Sequence, residues 1–240
     1  MNDEHKNISK DLYDDSIGKV QLIQHWGSDA TIVRSARVSF GSDIDSEELS
    51  DRDKKLIKYL IKHRHTSTLE HCGATFKFVV PLFVRSQHHR HRTWSYNEIS
   101  RRYTDVNIQF YSPNRFRIQH NSNRQASNPD YLIDPTIELT NGRYGSTTAS
   151  SAVLDHAEQS LRLYNSLLDA GVCREQARGV LPQNMYTEYY GTVNLNNLLK
   201  FIDLRTHEGA QWEIQKVAET CLEMARELWP TAINAWKSND

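Results

Sequence analysis

The stretch from Arg90 to Tyr103 reads Arg-His-Arg-Thr-Trp-Ser-Tyr-Asn-Glu-Ile-Ser-Arg-Arg-Tyr and is the most informative segment of this 240-residue chain. It holds four arginines, two serines and one asparagine against a single carboxylate, that of Glu98. Guanidinium groups match the geometry of phosphate oxygens with paired hydrogen bonds, so this excess of arginine favours an anionic ligand. For an isolated Arg-His-Arg triplet, a solvated helix face with a satisfied histidine is the alternative.

The composition is that of a globular protein with no strong overall charge. A net charge of −1 and an isoelectric point near 6.8 argue against general attraction to nucleic acid, so positive charge is local. The three cysteines, Cys72, Cys173 and Cys221, include no Cys-x-x-Cys pair, which indicates a reducing compartment. The polar N-terminus and the lack of a long apolar run predict a cytoplasmic protein without a signal segment or membrane span.

Hydrophobic periodicity predicts a mixture of strands and helices within one domain that covers residues 1–240. Strands are predicted at Lys19–His25, Ala74–Val80 and Tyr186–Val193, where apolar residues alternate or cluster. The predicted helices cover Asp29–Ser39, Asp51–Lys62, the residues that follow Pro81, Leu154–Ala170, Arg174–Leu181, a segment from Asn194 to Thr206, and Ala210–Leu228.

Three segments are predicted to have little regular structure. Met1–Ser16 is expected to be weakly ordered, and His65–His71 is interpreted as a loop. Residues 119–150 are rich in Asn, Ser, Thr and Asp and are interpreted as a polar excursion, with a short strand at Tyr131–Ile133. Because related motifs lie on both sides of the excursion, we do not interpret it as a domain boundary.

Six of the eleven histidines lie between His63 and His91, so a metal site has to be considered. Zinc sites use ligands at recognisable spacings, such as a histidine pair four residues apart or cysteine partners. His63-x-His65 and the adjacent pair His88-His89 fit neither spacing. We therefore predict no metal site, and a histidine-rich metal hydrolase stays only as an alternative.

Two further arginine motifs lie in the C-terminal half of the chain. Residues 173–182 read Cys-Arg-Glu-Gln-Ala-Arg-Gly-Val-Leu-Pro, for which an ordinary amphipathic helix with Arg178 in an ion pair is the alternative. Residues 204–205 read Leu-Arg and are followed by Ala-Gln-Trp-Glu-Ile at 210–214. The apolar residues around Arg205 are predicted to belong to the core.

Together these segments resemble the flavin-dependent thymidylate synthases over about Thr31–Trp229, apart from the polar excursion. The resemblance implies an α+β fold, with mixed helices packed on a mainly antiparallel sheet, in a homotetramer with active sites at subunit interfaces. The segments that carry it are Arg-His-Arg, seven residues and Ser at Arg90–Ser100, His65-x-Ser67-x-x-Glu70-His71, Arg174-x-x-Ala177-Arg178, and Leu204-Arg205 with Ala-Gln-Trp-Glu-Ile at 210–214.

The resemblance implies reductive methylation of deoxyuridylate (dUMP) to thymidylate (dTMP), with no nucleic-acid or membrane partner. The one-carbon unit would come from 5,10-methylenetetrahydrofolate, and the reducing equivalents from NADPH through FAD. The implied dUMP-binding residues are Gln87, Arg90, Glu98, Ile99, Ser100, Arg101, Arg102, Arg178 and Arg205. The implied FAD-binding residues are Ser39, Ser67, Arg90, His91, Arg92, Glu98, Asn194, Asn196 and Lys200. Asn196 and Lys200 differ from the residues usual at their positions.

Two routes to an activated pyrimidine are open. A covalent route needs an activated nucleophile, but Cys72 is more typical of a small core residue, and Ser100 has no evident histidine–carboxylate pair. The route implied by the resemblance is polarisation, in which Arg205 stabilises negative charge on the uracil without a protein nucleophile. Positive charge on the triplet around His91 is expected to favour an anionic reduced flavin.

A nucleic-acid-binding module is the alternative from a different functional class. Arginines interleaved with aromatic residues are typical of proteins that bind single strands, whose bases stack on the aromatic rings. The single cluster and the near-neutral isoelectric point argue against it. The residues of this alternative are Arg85, Arg90, Arg92, Arg101 and Arg102, with Trp94, Tyr96 and Tyr103 as stacking platforms.

Overall fold

A computed structural model describes residues 8–41, 46–139 and 145–238 of the chain. The strands of these ranges are β1 (Ser9–Asp11), β2 (Lys19–Trp26), β3 (Gly73–Pro81), β4 (Ser95–Glu98), β5 (Phe116–Gln119), β6 (Ser127–Ile133), β7 (Thr136–Glu138), β8 (Ser146–Thr148) and β9 (Tyr186–Asn194). Five of them form one antiparallel sheet in the order β1-β2-β3-β9-β4. Two separate hairpins, β5-β6 and β7-β8, fall within or beside the polar excursion.

Strand β3 lies at the centre of the sheet, and the side chains of one of its faces, Ala74, Phe76, Phe78 and Val80, are fully buried. Phe78 pairs in register with Val20 on β2 and with Tyr189 on β9, and all three side chains are buried. The opposite face carries Thr75 and Lys77, so the strand alternates as an antiparallel strand with one apolar face should. The predicted strands at Lys19–His25, Ala74–Val80 and Tyr186–Val193 are confirmed as β2, β3 and β9.

The helices begin and end at the signals that the sequence contains. The Ser50 hydroxyl accepts from the Asp53 backbone N–H at 3.3 Å, and the Asn194 side chain accepts from Asn197 N–H at 2.9 Å, so both residues are N-caps. The helices are α1 (Asp29–Arg37), α2 (Asp51–Lys62), α3 (Leu82–His88), α4 (Ala149–Asp169), α5 (Arg174–Ala177), α6 (Leu195–Thr206), α7 (Trp212–Leu228) and α8 (Pro230–Lys237). The predicted helices are thus confirmed with small shifts, and the fold is α+β as expected.

The main core lies between the sheet and helices α1, α2, α6, α7 and α8. Trp229 is fully buried between α7 and α8, and its indole N–H donates to the Gly27 carbonyl at 3.0 Å. A second, smaller apolar cluster joins Tyr164 on α4 to Leu181 and Met185, which precede β9. No helix in the described ranges combines the length and the apolar character that crossing a membrane requires.

Several sequence-based predictions need correction. The expected weak order of Met1–Ser16 is wrong for Ser9–Asp11, because β1 pairs with β2; residues 1–7 lie outside the described ranges. The segment predicted as a loop at His65–His71 contains a 3-10 helix, Thr66–His71. The strand predicted at Tyr131–Ile133 is confirmed as the end of β6, but the rest of the two hairpins and helix α8 were not predicted. The spacing of Leu56, Tyr59, Leu60 and His63 predicts one apolar face on α2, but Tyr59 is 54% exposed and Ile57 is fully buried.

Gly73 offers a test of the tight packing at the edge of this core. A Cβ atom at Gly73 would lie 2.5 Å from the Val193 carbonyl oxygen and would overlap the Trp26 ring. We expect Gly73→Ala to lower the free energy of unfolding by about 2 kcal/mol, measured by denaturant titration. Gly179→Ala is the matched control, because a Cβ there meets open space and should change stability by less than about 1 kcal/mol. Equal denaturant midpoints for Gly73→Ala and Gly179→Ala would contradict this packing.

Candidate active site

Arg205, near the C-terminal end of α6, is bound to two residues of the region around α3. Its Nε donates to His91 Nε2 at 3.1 Å, and its Nη2 donates to the Gln87 carbonyl at 3.1 Å. These residues are more than a hundred positions away from Arg205 in the sequence, so the fold brings together three residues of the predicted site. The guanidinium carries further N–H donors beyond these two bonds, and these can serve a ligand.

His91 is a neutral member of this cluster. Its pKa falls from 6.5 to about 4, first because burial disfavours the charged ring and second because Arg205 is close. The hydrogen bond from Arg205 also requires an unprotonated Nε2 as acceptor. His91 therefore adds no charge to the triplet, whose positive charge lies on the exposed Arg90 and Arg92.

The position of the triplet follows from the buried residue that precedes it. His88 is fully buried and its Nδ1 lies 2.8 Å from the Tyr189 hydroxyl, so helix α3 ends against the sheet. The chain then turns, and the Tyr96 hydroxyl donates to the His88 and His91 carbonyls at 3.0 and 3.1 Å. A longer helix after Pro81 would place Gln87 and Arg90 on one face, but α3 ends at His88, before Arg90.

Strand β4 and the turn that follows it contain the next group of predicted residues. Glu98 accepts from the Thr187 hydroxyl at 2.6 Å and forms an ion pair with Arg85 at 3.1 Å. The Ile99 backbone N–H donates to the Glu188 carbonyl at 2.9 Å, which continues the pairing with β9. Ser100 is half-buried, and its hydroxyl accepts from the backbone N–H of Arg102 at 3.3 Å.

The two arginines of that turn have different environments. Arg101 is buried, and its guanidinium donates to the Val106 carbonyl at 2.7 Å, so this side chain stabilises the turn itself. Arg102 is exposed and forms a 3.5 Å pair with Glu175 on α5. That pair brings the turn close to Arg178, which follows α5 and is exposed. The turn that carries Arg102 thus contacts the helix that Arg178 follows.

Three of the residues predicted to hold a flavin, Asn194, Asn196 and Lys200, lie at the start of α6. Asn196 is buried and donates to Glu70 at 2.8 Å, while Lys200 is exposed one turn later. Asn194 uses its side chain as the cap of α6, and Ser67 and Ser39 are exposed. Asn196 and Lys200 line a cavity of about 580 Å³. The cavity is also lined by Leu60, Ile61, Lys62, Arg64, His65, Thr66, Leu69, Leu199, Asp203 and Trp236.

This cavity fits a cofactor that has both an apolar and an anionic part. Its volume lies within the range of about 300–1,000 Å³ that is usual for small-molecule sites. Leu60, Leu69 and Leu199 provide apolar walls, and Lys62 and Arg64 provide positive charge of the kind that binds phosphate. Helix α6 connects the cavity to the Arg205 cluster, since Lys200 and Arg205 lie on the same helix.

The environments of Cys72, Trp94 and Tyr96 bear on the alternatives that the sequence leaves open. Cys72 is fully buried and burial raises its pKa to about 12, so its thiol is a core group and not an activated nucleophile. Trp94 is buried, and Tyr96 is held by two hydrogen bonds, so two of the three supposed stacking platforms are unavailable to nucleic acid. Within the described ranges, no three His, Cys, Asp or Glu side chains are grouped as metal ligands.

One part of this region was missed by the sequence reasoning. The sequence presents Gln211 and Glu213 only as part of a family motif, yet Gln87 Nε2 donates to Gln211 Oε1 and Gln211 Nε2 donates to Glu213 Oε2 at 2.9 Å. Glu213 is also paired with Arg117, which lies just before the polar excursion, at 2.5 Å. An acidic residue in the first turn of a predicted helix, beside apolar neighbours, was the available signal.

Comparisons with known proteins agree with this geometry. Residues 21–231 match the family described as thymidylate synthase complementing protein. A flavin-dependent thymidylate synthase of Thermus thermophilus is 40% identical over 223 residues, which cover 92% of this chain and 76% of the relative. That of Thermotoga neapolitana is 37% identical over 219 residues, covering 91% and 90%. The crystal structure of the UMP/dUMP methylase PolB from Streptomyces cacaoi bound with 5-Br dUMP has a TM-score of 0.74 at 32% identity, over 95% of this chain and 97% of that chain.

An α+β fold that places an arginine cluster beside a cavity of cofactor size, together with these matches, defines an enzyme of the thymidylate synthase class. More narrowly, the chain belongs to the flavin-dependent thymidylate synthase family, as its motifs indicated.

The neutral state of His91 gives a prediction on pH. The folded-state pKa of about 4 lies below the ordinary 6.5, so between these values the unfolded chain binds more protons than the folded chain. The contribution of His91 to stability is therefore complete above about pH 6.5 and falls as the pH falls towards 4. We expect NMR titration of the imidazole to show a midpoint far below 6.5.

Arg205→Gln is the matched variant for this titration. Removing the nearby positive charge should raise the His91 midpoint, while burial keeps it below the ordinary value. A His91 that titrates at its ordinary pKa in the wild type, or at the same pH in both proteins, would contradict the assigned cluster.

Proposed function

We propose that this protein methylates dUMP to dTMP reductively, with 5,10-methylenetetrahydrofolate as one-carbon donor and NADPH as reductant acting through FAD. The observation that carries the proposal is the cluster of Arg205, His91 and Gln87, which joins the Arg-His-Arg motif to the end of α6. Support comes from the relatives named flavin-dependent thymidylate synthase, and from the similar fold of a UMP/dUMP methylase bound with 5-Br dUMP.

In this proposal FAD would be held in the cavity at the start of α6, which Asn196 and Lys200 line. Asn194 caps that helix, and Ser67 lies in the 3-10 helix whose Thr66 and Leu69 also line the cavity. Ser39, Arg90, His91, Arg92 and Glu98 complete the proposed flavin set. The flavin supplies the transfer of reducing equivalents, while the protein supplies binding and electrostatics. Because His91 is neutral, exposed Arg90 and Arg92 provide the positive charge that favours an anionic reduced ring.

The substrate phosphate is proposed to bind between Arg102 and Arg178, with the backbone of Ile99–Arg101 as a further donor. Both arginines are exposed, and the pair between Arg102 and Glu175 keeps the two segments together. A phosphate near −2 would outcompete the exposed Arg102–Glu175 pair, since such surface pairs contribute at most about 1 kcal/mol. Each charge-assisted hydrogen bond to the phosphate contributes about 1.5–3 kcal/mol.

Arg205 is proposed to polarise the uracil ring. Its contacts with His91 and the Gln87 carbonyl fix the guanidinium, and its remaining N–H groups are left for the substrate. A fixed cation beside a pyrimidine carbonyl stabilises the negative charge that builds up as the ring carbon becomes nucleophilic. No covalent protein nucleophile is needed for this route, consistent with the buried thiol of Cys72.

The proposed assembly is a homotetramer whose active sites lie at subunit interfaces, formed by one domain per chain. Large apolar side chains beside the proposed site are exposed in the single chain: Leu204 is 58% exposed next to Arg205, and Val38 is 71% exposed next to Ser39. Contacts with a second copy would cover them. Sedimentation analysis should therefore give a mass near four times 27.8 kDa, and a monomer that turns over dUMP would contradict the assembly.

The flavin can be tested directly by the visible absorption spectrum of the purified protein. We expect flavin bands, and we expect them to bleach when NADPH is added anaerobically in the presence of dUMP. A colourless protein that also fails to take up added FAD would refute the proposed cofactor.

The role of Arg205 can be tested by Arg205→Ala. We expect flavin binding to persist and dTMP formation to fall by at least about a hundredfold, because a fixed donor to the developing charge is lost. Arg226→Ala, at an exposed arginine of α7, is the matched control and should keep wild-type turnover. Cys72→Ala should also remain active. Wild-type turnover in Arg205→Ala, or a folded but inactive Cys72→Ala protein, would contradict the polarisation route.

A further inference from the structure

Glu213 is a buried carboxylate with hydrogen-bond donors on both of its oxygens. It is 4% exposed and lies in the first turn of α7, where the helix dipole favours negative charge. Its Oε1 accepts from Arg117 at 2.5 Å and from the Tyr111 hydroxyl at 3.2 Å, and its Oε2 accepts from Gln211 Nε2 at 2.9 Å. A buried charge with this many donors has one well-defined orientation.

The orientation of Glu213 determines which way the side-chain amides of Gln211 and Gln87 point. An ionised carboxylate can only accept, so the NH₂ group of Gln211 must face Glu213 and its carbonyl must face the other way. The Gln211 carbonyl oxygen in turn accepts from Gln87 Nε2. The NH₂ group of Gln87 therefore faces Gln211, and the Oε1 of Gln87 is the end of its amide that this contact leaves unused.

We propose that Glu213 is a positioning residue that acts through Gln211 to make Gln87 present a hydrogen-bond acceptor to the pyrimidine. The inference rests on the proposed function, in which Gln87 contacts the base of the nucleotide. Gln87 is fixed at its main chain as well, since its carbonyl accepts from Arg205 Nη2 at 3.1 Å. One residue thus connects the Glu213 network with the arginine that polarises the ring.

The polar excursion takes part in this arrangement through Arg117 on β5, whose partner strand is β6. The Arg117 guanidinium lies over the Trp212 ring at 4.9 Å, and its Nε donates to the Ser127 hydroxyl of β6 at 3.0 Å. The β5-β6 hairpin therefore carries the cation that compensates the buried negative charge of Glu213.

An acceptor at Gln87 Oε1 has a consequence for substrate choice. Uracil carries a ring N–H at position 3, whereas cytosine carries an unprotonated nitrogen there. A fixed acceptor pairs with the first and repels the second, and a misplaced polar partner in a closed site costs affinity. Free rotation of the Gln87 amide would remove this discrimination, because the amide could then offer its NH₂ group instead.

The test compares two variants that alter the same network at different points. Gln211→Met breaks the connection between Glu213 and Gln87, yet it keeps an unbranched side chain and leaves the Arg117 and Tyr111 contacts in place. Tyr111→Phe removes one hydrogen bond to Glu213 without touching Gln211. Binding of dUMP and of dCMP to the flavin-loaded protein is measured by calorimetry, with flavin content and thermal midpoint recorded for each variant.

We expect Gln211→Met to weaken dUMP binding about tenfold and to reduce the preference for dUMP over dCMP, with flavin content unchanged. Tyr111→Phe should keep the wild-type preference. Glu213→Gln, in which the new amide can either donate or accept, should reduce the preference in the same way as Gln211→Met.

Two results would count against the inference. A wild-type preference for dUMP over dCMP in both Gln211→Met and Glu213→Gln overturns the positioning role. Equal losses of flavin binding and of binding to both nucleotides in these variants would also overturn the positioning role, because a purely structural residue gives that pattern. A wild-type protein that binds dUMP but forms no dTMP would contradict the proposed function. Failure of the inference and failure of the proposed function therefore give different results.

Discussion

The buried imidazole of His88 is the constraint on which the site depends. Its ring centre lies 4.8 Å from that of Phe78, 4.5 Å from that of Trp94 and 4.6 Å from that of Phe201, so one side chain contacts β3, the turn before β4 and helix α6. Burial lowers its pKa far below the ordinary value, which keeps the ring uncharged inside this aromatic cluster. A neutral, fully packed His88 fixes where α3 ends, and the Arg-His-Arg triplet must begin at that point.

The arginines around the site have two different roles, which the sequence alone does not distinguish. Arg85 and Arg117 are paired with carboxylates, and Arg101 donates to backbone carbonyls, so these arginines stabilise the scaffold. Arg90, Arg92 and Arg178 are exposed, as the proposed binding of anionic ligands requires. A count of arginines therefore overstates the positive charge at the site, and burial decides which of them can bind a nucleotide.

Much of the fold could be predicted because the signals are local. Alternation in β3 and β9 and the caps at Ser50 and Asn194 depend on a few adjacent residues, and the structure confirms them. Strand β1 escaped prediction because its stability comes from pairing with β2 and not from its own polar residues. In the excursion the strand at Tyr131–Ile133 was predicted, but the pairing that forms the two hairpins escaped for the same reason. The residues of the predicted site were found by motif, and whether each of them touches a ligand stays a prediction.

The Glu213 network illustrates what motif reasoning leaves out. Ala-Gln-Trp-Glu-Ile is recognisable as a sequence, but the contacts that give its polar residues a purpose come from Gln87 and Arg117, about a hundred positions away in the chain. A carboxylate at the start of a helix has many possible roles, and only the position of its donors separates them. Here the donors lie on two sides of the carboxylate. A cation from the β5-β6 hairpin compensates the charge of Glu213. An amide on the other side fixes the orientation of the residue that contacts Arg205. The excursion, which looked like a detached polar segment, is in this way part of the scaffold that shapes the site.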